Sequence, residues 1–259
     1  MDSNIIIPPV SNQVMDIAMD VYNTMMSNAK HLDKPLCSLC IANKEKGIFV
    51  KDHFHGSDVG TCYLHTQLSI LTPIQKTYEP VKQIFLRDGH LNEEVMMELL
   101  NSSYTTGYHD QEIIYKDDIK LSDTVTEHIV ISNHPDLMIF YNQKLSILVE
   151  FKATKDWYFK NVACKGMVPN KYYGQVQSYL QALNINFGLL FIKNRHDSNV
   201  LPPFVIQYNP EYIQTRFRYL AGVQHLIKQG KNQLVPKEYQ SKDTAECKFC
   251  DYREHCWEK

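Results

Sequence analysis

The stretch that decides the fold runs from His134-Pro135-Asp136 to Lys144-Leu145-Ser146-Ile147-Leu148-Val149-Glu150-Phe151-Lys152. In its second half Leu145, Ile147, Val149 and Phe151 hold alternate positions, the period of a strand with one apolar face, so Glu150 and Lys152 fall together on the other face. The run His128–Phe140 reads as the preceding strand. A hairpin centred on Gln143 then sets Asp136 opposite Glu150. Their Cβ atoms would lie roughly 4.5–5.5 Å apart, where two carboxylates repel unless a cation lies between them. Mg²⁺ suits such a pair, because it takes carboxylate oxygens and keeps waters and substrate phosphates as its other ligands. Lys152 beside them would orient or deprotonate the attacking water and offset charge on a scissile phosphate. The chemistry implied is phosphodiester hydrolysis; the competing reading is a salt bridge on a solvated sheet face.

Outward from the hairpin, Gln111–Tyr115, His128–Phe140 and Lys144–Phe151 are expected as three successive strands of a meander. Pro169–Asn184 reads as a helix, Phe187–Lys193 as a buried strand and Phe204–Tyr208 as another strand. A long helix starts near Pro210, carries the stripe Ile213, Phe217, Leu220, Ile227 and stops at Gly230. Upstream, Leu91–Leu100 has a helical apolar stripe with Glu93 and Glu94 in its first turn, where acids also suit the helix dipole. Val14, Ile17, Ala18, Val21 and Met25 predict a first helix ending before Asp33-Lys34-Pro35. The expected division is an N-terminal helical extension over residues 1–50 and a catalytic domain over residues 51–259.

Pro135-Asp136 followed by Glu150-Phe151-Lys152 resembles the signature of the PD-(D/E)XK nuclease superfamily, whose core has the same order of helix, three strands, helix and strand. Gln175 and Tyr179, four apart and on one helical face, resemble the QxxxY motif of its RecB-like branch. Gly89 with Glu93 and Glu94 resembles the GxxxHE motif, with Glu93 where many members have a metal-binding His and His90 as the alternative to it. The resemblance implies an α/β (α+β) restriction-endonuclease-like core, a central mixed sheet flanked by helices. It also implies a Mg²⁺- or Mn²⁺-dependent exonuclease, with Asp136, Glu150 and Glu93 on the metal, Lys152 activating water, and Gln175 and Tyr179 positioning the strand.

Cys247, Cys250 and Cys256 form C-x2-C-x5-C, and three thiolates at that spacing can converge on zinc or an iron-sulfur cluster with a fourth ligand from elsewhere. Spacing leaves that choice open. The tail resembles CRISPR-associated and bacteriophage RecB-like exonucleases, which hold a 4Fe-4S cluster with one upstream cysteine. His55-Gly56-Ser57-Asp58-Val59-Gly60-Thr61-Cys62 resembles the segment presenting it, which implies Cys62 as fourth ligand and a clasp joining the two ends of the core. Cys37 and Cys40 form a separate CxxC that His31, His53 or His55 could complete as a zinc site, and Cys164 reads as an ordinary thiol.

Lys152, Lys155, Lys160, Lys165 and Lys171 follow the catalytic strand, interleaved with Trp157, Tyr158, Phe159, Tyr172 and Tyr173. Lysines tracking phosphates and rings stacking on bases suit single-stranded or frayed DNA; the alternative is a lysine-rich loop over core aromatics. In 259 residues, 27 Lys and Arg stand against 29 Asp and Glu, a net charge of −2 that neither requires nor excludes nucleic acid. Disorder is excluded by 44% hydrophobic residues, and the longest apolar runs, such as Phe187–Ile192, are far below the ~20 residues of a membrane span. Met1–Val10 lacks a secretory pattern, so a cytoplasmic protein is expected. No G-x-x-x-x-G-K-[ST] loop adds a helicase. The family setting implies DNA recombination, repair, replication or CRISPR adaptation, with protein partners from those pathways. A rival reading is an iron-sulfur DNA-end-binding adaptor with cleavage incidental or lost.

Overall fold

The computed structural model describes residues 4–5, 11–29, 54–72, 94–107, 111–141, 145–197, 199–230, 234–248 and 250–257. In chain order these form β1 (Asn4–Ile5), α1 (Asn12–Ala29), β2 (Phe54–His55), α2 (Gly56–Val59), α3 (Tyr63–Leu71), α4 (residues 94–101), β3 (Thr105–Gly107), β4 (Ile113–Lys120) and β5 (Thr126–Asn133). There follow β6 (Leu137–Tyr141), β7 (Leu145–Thr154), α5 (Asp156–Lys165), β8 (Val168–Pro169), α6 (Asn170–Leu183), β9 (Phe187–Asn194), β10 (Phe204–Gln207), α7 (Pro210–Lys228), α8 (Ala245–Lys248) and α9 (Arg253–Trp257). Two mixed sheets flanked by helices result, a restriction-endonuclease-like α+β arrangement. One has the order β10-β9-β7-β6-β3 and the other β2-β5-β4. The short strands β1 and β8 pair separately.

The expected three-strand meander is corrected here. His128–Phe140 is two strands on two sheets: β5 pairs with β4, whereas β6 pairs with β7. Pro135 lies between them and has no N–H for a ladder, so the chain leaves one sheet after Asn133 and enters the other at Leu137. Within β6 and β7, Leu137 opposes Val149 and Tyr141 opposes Leu145, which is the register of a hairpin about position 143. β7 then pairs in parallel with β9, Glu150 opposite Leu190, through a crossover containing α5 and α6.

β7 is interior to its sheet and covered on both faces. Ile147, Val149 and Phe151 pack with Ala18 and Val21 of α1 and Met96 and Leu100 of α4. Leu148 points the other way, into a core shared with Val176, Tyr179 and Leu180 of α6 and Leu190 and Ile192 of β9. Full burial of each such aliphatic side chain contributes about 1.5–3 kcal/mol. A third core lies between α7 and the three-stranded sheet, where Ile213, Phe217 and Leu220 meet Ile129 and Ile131. α7 begins with Pro210 at its first turn and Asn209 accepting from the N–H of Tyr212, and Gly230 follows its end at φ 62°, a left-handed stop.

α2 and α6 cross with backbones in contact. A Cβ on Gly174 would strike the Gly60 backbone, and one on Gly60 would meet the carbonyls of Asn170 and Lys171, so only glycine permits this approach. Among the described residues no helix is long and apolar enough to cross a membrane.

Candidate active site

Glu150 and Lys152 project from β7 on the α6 side, and the strand's burial decides their character. Glu150 is 1% exposed. Lys152 Nζ donates to Glu150 Oε1 and to the Phe151 carbonyl oxygen at 3.1 Å. The pair is therefore buried, and the solvated salt bridge is ruled out. Burial would push the Lys152 ammonium down, but the Glu150 and Asp136 charges and the Glu150 hydrogen bond outweigh it and hold the pKa above the ordinary lysine range. In this arrangement Lys152 is a charged donor.

Asp136 occupies the bend before β6, and its Oδ2 accepts from the backbone N–H of Phe151 at 2.7 Å. That amide lies between Glu150 and Lys152 along the strand, so one bond fixes the bend to the segment carrying both. Three groups of the expected constellation are thus gathered at one point of the sheet.

α6 brings two more. Gln175 Nε2 donates to Tyr179 Oη at 2.6 Å. Tyr179 is buried, and burial followed by the Glu150 charge raises its pKa, so the phenol stays protonated. Tyr172 feels the same pair: burial raises its pKa against an opposing effect from Lys152. A Cβ on Gly56 would lie 2.6 Å from Tyr179 Cε1 and 2.7 Å from Asn133 Oδ1. Asn133 accepts from Ser178 Oγ at 2.7 Å and donates to the carbonyls of Ile113 and Ile131, so the end of β5, α2 and α6 are locked around Tyr179. Sequence reading missed Gly56 and Asn133 in this role; the glycines of the His55–Cys62 segment were the available signal.

Of the residues expected on DNA, Lys155, Lys160 and Lys171 are exposed, with Lys160 paired to Asp156 at 2.8 Å. Trp157 is exposed and meets Tyr158 edge-on. Tyr172 is half-buried beside Tyr158. Tyr173 is a correction: it is buried in the α6 core with its ring edge-on to Tyr212, and it presents no face for a base to stack on. Glu93, Gly89, His90, His31, His53, Cys37 and Cys40 lie outside the described residues, and with them the proposed third metal ligand and the CxxC zinc site.

The cysteine tail does return to the upstream segment. Cys62, Cys250 and Cys256 pack around Leu64, Leu68 and Tyr252, and His65 Nδ1 is 3.3 Å from Cys250 Sγ. Burial, then the charges of Cys250, Cys62 and Cys247, pushes the Cys256 thiol up to about 11. Burial also raises the Cys62 thiol. Yet among the described residues no group of three or more His, Cys, Asp or Glu side chains is disposed to hold a metal ion, so neither a 4Fe-4S cluster nor zinc is supported by this arrangement. Clasping here is done by a residue that sequence reading passed over. Arg216 of α7, 5% exposed, donates to the Val59 carbonyl and at 2.6 Å to that of Thr61, and meets Glu238 at 3.4 Å. Nothing in the apolar stripe of α7 marks it.

No protein-family model and no curated protein matches the chain. Among solved structures it is similar to one titled "Crystal structure of SSO0001", at 14% identity and TM-score 0.52 over 93% of this chain and 97% of that one, a likeness of fold. An alkaline exonuclease (LHK-Exo) from Laribacter hongkongensis aligns at 14% identity and TM-score 0.45, and its complex with dAMP at 15% and 0.46, each over 69% of this chain and 91% of the other.

Proposed function

We propose that the protein is a divalent-metal-dependent deoxyribonuclease, acting as an exonuclease on single-stranded or frayed DNA ends. The observation that supports it best is the buried Glu150–Lys152 pair with Asp136 bonded to the amide between them. A buried ion pair is weak support for stability, which favours a chemical reason for keeping it. Two hard-oxygen carboxylates suit Mg²⁺ or Mn²⁺, ions that need only one or two such ligands from the protein.

In this reading Asp136 and Glu150 hold the ion, with Glu93 assisting. Once bound, the ion supplies Lewis-acid activation of water and of the scissile phosphate. Lys152 directs its ammonium at the charge that develops on the phosphate. Tyr179 Oη, accepting from Gln175, retains its own proton for a phosphate oxygen of the strand. Lys155, Lys160 and Lys171 follow the backbone as point charges, with Tyr172 at the rim. The pathway in this reading is DNA recombination, repair, replication or CRISPR adaptation, an assignment that rests on the sequence resemblance alone. No step passes through the cysteines, and iron and zinc counts on anaerobically purified protein test the expected cluster.

The decisive experiment is digestion of end-labelled linear single strands, beside duplex and circular controls, with Mg²⁺, Mn²⁺ or EDTA. Metal-dependent loss of linear strands by the wild type and none by Lys152→Ala is expected. Tight end binding without cleavage by the wild type in either metal would sink the enzyme and leave an adaptor.

A further inference from the structure

Arg216 and Tyr219 are three positions apart on α7 and so share a helix face. Between them is the ring of Tyr63, the first residue of α3. Arg216 Cζ lies 3.9 Å from its centroid, and the Tyr219 ring stacks on it at 4.4 Å with an interplanar angle of 16°. A guanidinium and a second ring cannot occupy the same face at those distances, so Tyr63 is sandwiched. The inner layer is fixed, because Arg216 is spent on the Val59 and Thr61 carbonyls and on Glu238. The outer layer is open: Tyr219 is 54% exposed, and the neighbouring Arg218 is exposed as well.

We infer that Tyr219 is the outer face of a stacking platform for an unpaired nucleobase, a site that rests on the DNA reading above. A ring held parallel over a cation–π pair is flat and already ordered, so a base joining the stack orders little further. Stacking of this kind is sequence-tolerant, as an enzyme of strand ends requires. Location agrees with that use. The stretch from Gly60 to Tyr63 begins against Asn170, Lys171 and Gly174 of α6, the helix that carries Gln175 and Tyr179. Tyr63 thus follows by three residues the point where Gly60 meets the end of α6 that presents the exposed Lys171.

The test is binding of a fluorescent oligothymidylate by anisotropy in EDTA, where no strand is cut, using the full chain and its Tyr219→Phe, Tyr219→Leu and Tyr219→Ala variants. Phe keeps the ring and is expected to bind like wild type. Leu keeps bulk without a π-face, and both it and Ala are expected to bind about tenfold more weakly. An oligomer of abasic sites should lose this dependence. If Leu and Ala bind as tightly as wild type, if the abasic strand shows the same loss, or if the wild type binds no single strand, the platform is overturned. End-labelled digestion reads the nuclease separately: Tyr219-dependent binding without cleavage keeps the platform and discards the enzyme, and cleavage with Tyr219-independent binding does the reverse.

Discussion

A 2.7 Å hydrogen bond from the backbone N–H of Phe151 to Asp136 Oδ2 joins the bend after Pro135 to the strand that carries Glu150 and Lys152. An asparagine at 136 offers the same kind of acceptor without the charge. Asp136→Asn is therefore expected to leave the unfolding free energy from urea denaturation within about 1 kcal/mol of wild type while metal-dependent cleavage disappears. A large fall in stability would show that the charge, rather than the acceptor, organises the bend.

Glu150 and Lys152 are a coupled buried pair, and single substitutions should expose that coupling. Lys152→Met removes the ammonium from a carboxylate that is 1% exposed and should cost about 3–5 kcal/mol in EDTA. The double variant Glu150→Gln/Lys152→Met should recover at least half of that loss while remaining inactive. Additive losses in urea denaturation would show that the two side chains do not share one environment.

This coupling also marks what the sequence made legible. Alternation in Leu145–Lys152 and the spacing back to Asp136 were enough for the register and for the shared face of Glu150 and Lys152, because period 2 leaves no other choice. The same alternation left open whether that face meets solvent: β7 is interior, and what covers its second face is α6, reached through the parallel crossover. Tyr173 shows the same blind spot, since an aromatic beside lysines reads identically whether its ring faces DNA or Tyr212. Reading His128–Phe140 as one strand passed over the break at Pro135, and such a break alone does not say that the next strand joins another sheet. Arg216 was invisible because its shortest hydrogen bonds go to backbone carbonyls, which carry no sequence signature.

The contact of Gly60 with Gly174 gives a test that leaves every catalytic group untouched. A methyl at 174 would overlap the Gly60 backbone, so Gly174→Ala must push α2 away from α6. A loss of about 1–3 kcal/mol in thermal or urea unfolding is expected. Because Gly56 packs on Tyr179, the folded variant should also show weaker DNA binding than wild type. Unchanged stability and binding together would mean that the two backbones do not touch.

The last prediction concerns acid. Glu127 on β5 is 7% exposed, and its carboxylate meets His225 Nδ1 and Lys228 Nζ of α7, each at 2.7 Å. Burial pushes its pKa up, but the hydrogen bonds from Lys228 and His225 and the Lys228 charge prevail and hold it below the usual carboxylate value. A carboxyl depressed in the folded state stabilises fully above its unfolded pKa, near 4.3, and that contribution fades as pH falls through the lower folded value. Lys228 is 56% exposed, so solvent screening keeps the gain modest. Glu127→Gln is accordingly expected to be less stable than wild type at pH 7 and to lose less stability between about pH 5 and pH 3. Urea midpoints across that range decide it: curves that stay parallel would show that this carboxylate does not help to hold α7 on the sheet.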